Sequence, residues 1–213
     1  MVPRGSQRMQ NARYYALHRS REIARVTRRQ RDTVCLLREL RQVPCADCKG
    51  VFAPTQMDFD HRDPAEKMFR VTSSRAMLMP QKRLLAEVAK CDVVCANCHR
   101  IRTQQAHVGA LSTRRGTGSS LYLHRKREVW QRQAQLLNRL RGVPCQDCGG
   151  TFPPCAMDFD HREPGTKSIG VTRMIGRAGT ARILAEAAKC DIVCANCHRH
   201  RTAGRRVHLV SRE

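Results

Sequence analysis

Four Cys-x-x-Cys pairs are the residues of this chain whose type and spacing are best suited to bind a metal ion. One pair in each half of the chain is followed by a second pair, after 46 residues in the first half and 45 residues in the second. A two-residue spacer lets both thiolates of a pair face one ion, and four thiolates complete a tetrahedral zinc site. The spacing therefore predicts two structural zinc ions. Their predicted ligands are Cys45, Cys48, Cys95 and Cys98 in the first half and Cys145, Cys148, Cys194 and Cys197 in the second half.

Aspartate and histidine residues near the cysteines are the candidates for catalysis, because zinc enclosed by four thiolates binds neither water nor substrate. Each half contains an Asp-His dipeptide at the end of a predicted strand, MDFDH, and a histidine directly after its last zinc cysteine. A carboxylate from a strand and an imidazole from the first turn of a helix suit Mg²⁺ or Mn²⁺. We predict one such cation in each half, with Asp60 and His99 as ligands in the first half and Asp160 and His198 in the second.

The histidine of each Asp-His dipeptide, His61 or His161, is the predicted general base. Neighbouring residues of a strand point to opposite faces, so this imidazole does not share the face of the aspartate before it. A neutral imidazole can take a proton from water near neutral pH. Asp58 and Asp158 do share that face, and we expect them to make structural hydrogen bonds, with support of the metal or the base as the alternative.

Both halves carry these motifs because the chain is an internal duplication. MDFDHRDP (57–64) aligns with MDFDHREP (157–164) at an offset of 100 residues, and residues 84–103 align with residues 183–202 at an offset of 99. Each copy retains its zinc cysteines, its Asp-His dipeptide and its final histidine, although much of the surrounding sequence differs. The duplication therefore predicts two similar units, neither of which has lost its candidate site.

The duplication also determines the predicted boundaries along the chain. The residues between the copies are rich in Gly, Ser and Thr and lack apolar periodicity, which predicts a linker. Near the N-terminus, VPRGS resembles part of an engineered protease-site tag. The predicted segments are an N-terminal extension (1–19), a first unit (20–103), a linker (104–120) and a second unit with a short basic tail (121–213).

Each unit is predicted to be a small α+β domain that opens with a basic helix. A knuckle turn and two short strands are expected within residues 45–61, and a short helix around 81–90 or 180–189 leads into the second cysteine pair. Val-Pro at 43–44 or 143–144 ends the opening helix. The apolar stripe of that helix consists of Ile23, Val26, Val34, Leu37 and Leu40 in the first unit and of Trp130, Ala134, Leu137 and Leu140 in the second.

An excess of basic residues and a shortage of aromatic ones narrow the classes of partner. Lys and Arg number 40 against 18 Asp and Glu, a formal net charge of +22, and aromatic residues make up 4% of the chain. This charge favours a nucleic acid, with an anionic membrane second, and the few aromatic rings disfavour stacking of single-stranded bases. No apolar run predicts a membrane span or a secretory signal. We therefore expect a cytoplasmic protein that binds duplex DNA, with cysteines that ligate zinc rather than form disulfides.

The combination of Cys-x-x-Cys, Asp-His with a nearby proline, and Cys-x-x-Cys-His resembles the HNH endonucleases of the ββα-metal, or His-Me finger, group. The resemblance covers roughly residues 30–103 and 130–202. It implies two tandem zinc-stapled ββα-metal units, each preceded by a basic helix, that hydrolyse DNA phosphodiesters with the cation ligands and bases named above. Many members carry an asparagine five residues before the third cysteine. This chain has Lys90 and Lys189 there, while Asn97 and Asn196 lie inside the second cysteine pairs.

We expect each unit to cut one strand, so that a monomer acting as an internal pseudo-dimer breaks both strands of DNA. Residues 68–81 and 168–180 differ between the copies, which favours a sequence-specific enzyme of restriction or homing type, in a prokaryotic or phage setting. The alternatives are a less specific or nicking nuclease in repair or phage DNA processing, and a zinc-stapled DNA-binding protein without catalysis. The candidate phosphate clamps are Arg62, Arg102, Arg162 and Arg201.

Overall fold

The computed structural model describes residues 4–111 and 121–210. Residues 1–3, 112–120 and 211–213 lie outside the described residues, and they include parts of the predicted extension, linker and basic tail. The helices of the described residues are α1 (Arg4–Glu39), α2 (Gln81–Val88), α3 (Ala96–Leu111), α4 (Leu121–Leu140), α5 (Thr180–Ala187) and α6 (Ala195–Val210). The strands are β1 (Met57–His61), β2 (Cys91–Cys95), β3 (Met157–His161) and β4 (Cys190–Cys194).

Each half of the chain contains one small two-stranded sheet. β1 pairs with β2, and β3 pairs with β4. In the second sheet the strands are antiparallel, with Met157 opposite Cys194 and His161 opposite Cys190. The expected pair of strands within residues 45–61 is wrong, because MDFDH takes its partner from the five-residue segment that precedes the second cysteine pair. The mixed helix and sheet class is confirmed, and each sheet leads directly into a long helix.

By its internal contacts the chain divides into two compact units, Met1–Val43 with Phe59–Val93 and Pro44–Asp58 with Val94–Glu213. The second unit therefore contains the first four zinc cysteines, α3 and the whole second half of the chain. The predicted boundaries kept residues 20–103 in one unit, whereas contacts link α3 and the turn at Pro54–Gln56 to the second half. The predicted linker also begins inside α3, which continues to Leu111.

The core of the first compact unit lies between the end of α1, α2 and the loop that connects β1 to α2. Its buried residues are Leu37, Val71, Ala76, Leu84 and Cys91. Leu37 is the fully buried member of the predicted α1 stripe, whereas Ile23 and Val34 are 49% and 52% exposed. The predicted apolar stripe of α1 therefore packs into the core only at its C-terminal end. α1 has 36 residues but is highly charged, and no helix among the described residues is long and apolar enough to cross a membrane.

The second compact unit contains two small clusters of buried residues, and both include residues of its sheet. One consists of Leu137, Val171, Met174, Ile183, Ala187 and Cys190, and the other of Cys145, Met157, Val193 and Cys194. In α4, Leu137 is buried, but Trp130 is 51% exposed. The side chain of Gln133 is buried instead, where it donates to the carbonyl oxygen of Ala178 and accepts from the amide of Gly176. Apolar periodicity missed this residue because its contacts are polar.

Candidate functional site

Two groups of four cysteines have the geometry of zinc sites. In each group the four sulfur atoms all lie within 4.8 Å of one another. Thiolates at about 2.3 Å from a tetrahedral zinc ion are about 3.8 Å apart, and the Sγ atoms of Cys48 and Cys95 are 4.0 Å apart. Every cysteine in these groups is free of disulfides. The groups are those predicted from the spacing, so two sites compatible with structural zinc are confirmed.

The backbone prepares one cysteine of each group for metal binding. The amide of Cys95 donates to Cys45 Sγ at 3.2 Å, and the amide of Cys194 donates to Cys145 Sγ at 3.1 Å. Burial alone would raise the pKa of Cys45 and Cys145, but such backbone donors lower the pKa of each thiol to about 7. The thiolate is the form that ligates zinc, so the fold of each knuckle favours the binding form.

In the second half, His198 lies between two aspartates of β3. Its Nδ1 donates to Asp158 Oδ2 at 2.8 Å, and its Nε2 is 3.6 Å from Asp160 Oδ1. Strand alternation places both aspartates on one face, and the first turn of α6 places the imidazole against that face. With Nδ1 bound to Asp158, the other ring nitrogen, Nε2, faces Asp160. The structure thus brings Asp160 and His198 together, and their role as cation ligands stays a prediction.

Two arginines of α6 hold the carboxylate of Asp160, which is only 3% exposed. Arg205 donates to both carboxylate oxygens, at 2.8 and 2.9 Å, and Arg201 donates to Oδ2 at 3.0 Å. Burial alone would raise the pKa of Asp160, but these hydrogen bonds and the charge of His198 lower it. A divalent cation at this position would therefore compete with guanidinium groups for the carboxylate. In the first half the position aligned with Arg205 is Ala106.

In the first half, His99 makes the contact that corresponds to His198 and Asp158. Its Nδ1 donates to Asp58 Oδ2 at 2.8 Å. Asp58 and Asp158 therefore orient the two histidines, which agrees with the expected hydrogen-bonding role. Asp60 belongs to the other compact unit, so its pairing with His99 stays a prediction.

Each of these orienting aspartates also receives an arginine from the opposite half of the chain. Arg199 Nη2 donates to Asp58 Oδ2 at 2.7 Å, and Arg100 Nη1 donates to Asp158 Oδ1 at 2.6 Å. Burial alone would raise the pKa of Asp158, but His198 and Arg100 lower it to about 2, and His99 and Arg199 likewise hold the pKa of Asp58 well below its usual range. The two carboxylates are therefore ionised over the whole physiological range.

Asn97 and Asn196 link the two halves a second time. The amide of Asn97 donates to Asn196 Oδ1 at 3.3 Å, and the amide of Asn196 donates to Asn97 Oδ1 at 3.1 Å. Both residues are buried, and Gln56 Nε2 donates to the carbonyl oxygen of Asn196 at 3.0 Å. The asparagines thus join the first turns of α3 and α6 rather than anchoring a loop of their own half.

The predicted bases make their contacts with glutamates that the sequence interpretation missed. His61 Nε2 is 2.8 Å from Glu87 Oε1, and His161 Nε2 is 2.9 Å from Glu186 Oε1. All four side chains are largely buried, with exposed fractions of 3% to 7%. The sequence did contain a signal for these glutamates, because they occupy aligned positions in the short amphipathic helices α2 and α5. No hydrogen bond is made at Nδ1 of either histidine within the described residues.

Glu87 is held as an anion by several donors around its carboxylate. Burial alone would raise its pKa, but Lys90, His61 and the amides of Met68 and Phe69 lower the pKa to about 2. Lys90 stands where many HNH proteins have asparagine, and its Nζ is 3.0 Å from Glu87 Oε2. In the second half Lys189 makes the same contact with Glu186 at 2.8 Å. The lysines therefore anchor the buried glutamates.

The four candidate phosphate clamps all have protein partners. Arg62 and Arg162 each donate to the carbonyl oxygen of the first cysteine in the following strand, at 2.9 Å. Arg102 and Arg201 each donate from Nε, at 2.8 Å, to the aspartate inside the first Cys-x-x-Cys pair of their own half. These contacts connect the helices and strands to the zinc knuckles, and contact with phosphate stays a prediction.

Comparisons with known proteins find no match for this chain among family models, curated proteins or solved structures. The geometry of the chain itself is therefore the basis for its function. That geometry comprises two four-cysteine sites, two aspartate-oriented histidines, two glutamate-bound histidines and a set of contacts that join the halves.

Proposed function

We propose that the protein is a metal-dependent endonuclease that hydrolyses phosphodiester bonds of double-stranded DNA. The observation that carries the proposal is the orientation of His198, whose Nδ1 is bound by Asp158 while Nε2 lies 3.6 Å from a buried oxygen of Asp160. A metal-ligating histidine usually donates its other ring N–H to a carboxylate in this way. Two neighbouring ligand atoms at about 2.1 Å from octahedral Mg²⁺ are about 3.0 Å apart. His198 Nε2 and Asp160 Oδ1 would therefore need to approach each other by about half an ångström to bind one ion.

The general base in this proposal is His161, and its counterpart in the first half is His61. Because Glu186 is anionic, it accepts the proton on Nε2 and leaves the lone pair on Nδ1 to receive a proton from water. The carboxylate then stabilises the imidazolium that forms. A cation bound by Asp160 and His198 would supply Lewis-acid stabilisation of charge on the phosphate and on the departing 3′ oxygen.

Duplex DNA is the proposed substrate because of the charge of the chain and the exposure of its basic helices. The net charge is +22, and most arginines of α1 and α4 whose burial is described are exposed. Lys and Arg that contact phosphates release condensed counterions, so affinity should fall steeply with salt. Aromatic residues make up only 4% of the chain, which leaves few rings for the stacking of single strands.

Two cuts per molecule are proposed because the same types of contact occur in both halves of the chain. Each half has an oriented histidine, a glutamate-bound histidine and an arginine that reaches the other half. Opposite strands of a duplex are related by an approximate twofold axis, which a paired arrangement of sites can match. Unequal connecting segments, at 68–81 and 168–180, support recognition of a specific sequence.

Digestion of supercoiled plasmid tests the proposal. With Mg²⁺ the wild-type protein should produce linear DNA, and EDTA should abolish cleavage. His198→Ala and His161→Ala should each yield nicked circles only, because one site remains. His124→Ala is the matched control, since His124 is 73% exposed on α4 and outside the site. Linearisation by His198→Ala at the wild-type rate would refute the division into two sites, and a smear instead of discrete bands would indicate the less specific nuclease.

A zinc-stapled DNA-binding protein without catalysis is the second candidate. The ion pairs of Asp160 with Arg201 and Arg205 favour it, because they satisfy the carboxylate without a cation. This candidate predicts salt-dependent DNA binding in a gel-shift assay and intact plasmid in Mg²⁺ or Mn²⁺. Cleavage that EDTA stops would exclude it.

A further inference from the structure

We infer that each candidate metal-ligand histidine is positioned by an arginine from the opposite half of the chain. Arg199 positions His99 through Asp58, and Arg100 positions His198 through Asp158. The inference rests on the proposed function, because it assigns positioning residues to the same two sites. It also goes beyond that function, since it makes each site depend on the other half of the protein.

The contacts form a continuous chain of charge-assisted hydrogen bonds. In the first site, Asp58 Oδ2 accepts from His99 Nδ1 at 2.8 Å and from Arg199 Nη2 at 2.7 Å. Arg199 thus contacts the very oxygen that orients the imidazole. In the second site, Asp158 accepts from His198 through Oδ2 and from Arg100 through Oδ1, at 2.8 and 2.6 Å.

The side chains of both aspartates are about one-fifth exposed, so water reaches them only in part. A carboxylate with a single partner can rotate about its last torsion, which has a broad minimum. A second, charged partner restricts that rotation and keeps the accepting oxygen in line with the imidazole N–H. The position of the histidine Nε2, the atom that faces the cation, then depends on the arginine.

Helix geometry explains why the arginine serves the opposite half. Arg199 directly follows His198 on α6, and Arg100 directly follows His99 on α3. Successive helical residues point about 100° apart, so the histidine faces the strand of its own half while the arginine faces elsewhere. α3 and α6 pack together, and the paired amides of Asn97 and Asn196 hold their first turns side by side. Each first turn therefore serves two sites.

An arginine that only joined the halves would behave differently from one that positions a histidine. Loss of a joining contact would slow both cuts together. Loss of a local contact of α6 would slow the cut made with His198, which is the sequence neighbour of Arg199. The inference predicts instead that Arg199→Ala slows the cut made with His99.

The test is strand-resolved cleavage of one plasmid by full-length variants, with ends located by sequencing. His99→Ala and His198→Ala first identify the strand that each half cuts. Arg199→Ala should then slow the strand assigned to His99 by about 10- to 100-fold, the usual effect of losing a partner of a metal ligand, and leave the other strand within about threefold. Arg100→Ala should show the reverse pattern. Arg199→Lys, which keeps the charge, should recover part of the rate.

Control variants and a readout without cleavage make the outcomes distinct. Arg182→Ala removes an exposed arginine of α5 and should change neither strand. If Arg199→Ala slows both strands equally, or mainly the strand assigned to His198, the inference is wrong even though the nuclease is real. If the wild-type protein cuts no DNA, the proposed function fails. The positioning of the histidines is then tested by the ¹⁵N NMR chemical shifts of their imidazole rings, recorded at one pH. Arg199→Ala should change the ring shifts of His99 and leave those of His198 unchanged. Any other result would exclude the positioning role of Arg199.

Discussion

Replacing Arg205 by alanine should lower the concentration of Mg²⁺ that the second site needs. Arg205 binds both oxygens of Asp160, at 2.8 and 2.9 Å, and that carboxylate is a proposed cation ligand. Hydrogen bonds to a charged group contribute about 1.5 to 3 kcal/mol. The guanidinium is 39% exposed, and Arg201 keeps its own bond to Asp160 at 3.0 Å, so we take about 1 to 2 kcal/mol as the gain. The half-saturating Mg²⁺ concentration should therefore fall by about 5- to 30-fold.

The assay is a Mg²⁺ titration in which the cleavage rate of each strand is measured separately. Arg205→Ala should shift the titration of the strand cut by the second half and leave the other strand unchanged, because Ala106 occupies the aligned position in the first half. Wild-type protein at low Mg²⁺ should for the same reason accumulate nicked circles. Arg182→Ala controls for the loss of one positive charge. The opposing outcome is that Arg205→Ala lowers the maximal rate of cleavage by the second half at saturating Mg²⁺ without a shift in half-saturation. That result would refute competition between Arg205 and Mg²⁺ for Asp160 and would show that Arg205 contributes to cleavage itself.

Three further predictions concern folding, zinc and DNA affinity. The pKa of Glu87 is lowered to about 2 from its ordinary 4.5. Its contribution to the free energy of unfolding is therefore present above about pH 4.5 and is lost as the pH falls towards 2. Urea unfolding of wild-type protein and Glu87→Gln at several pH values should show that the variant loses this part of the pH dependence. Zinc release measured with a colorimetric chelator should give two ions per chain, and Cys45→Ser or Cys145→Ser should each give one ion and a lower thermal midpoint. Binding to an uncleavable duplex should weaken by at least tenfold between about 50 and 200 mM salt, as expected for several phosphate contacts.

Clear outcomes would contradict each of these predictions. Parallel pH profiles for wild-type protein and Glu87→Gln would mean that the buried glutamate is not the group that titrates. Retention of two zinc ions by Cys45→Ser would exclude that residue as a ligand. A salt-independent affinity would show that the basic helices do not bind the DNA backbone.

Local spacing was enough to predict the parts of the site that depend on neighbouring residues. The Cys-x-x-Cys spacing identified both zinc-compatible groups, because two residues are all that a turn needs to face both thiolates to one ion. Strand alternation placed Asp158 and Asp160 on one face, where His198 meets both. The fold was harder to predict, because the partner of β1 lies beyond a long loop and the apolar stripe of α1 is fully buried only at Leu37.

By itself the sequence determined that the chain is a duplication with two cysteine groups of zinc-site spacing and two sets of acid and imidazole side chains. Only the tertiary structure decided which charges meet. Asp58 and Arg199 are 141 residues apart in sequence, Glu87 lies 26 residues from His61, and Arg205 lies 45 residues from Asp160. No periodicity or spacing rule connects such positions, because their contacts result from the packing of α3 against α6, of α6 against β3 and of each short helix against its strand. The physical reason is that a motif depends on local backbone geometry, whereas an ion pair between distant residues depends on the whole fold.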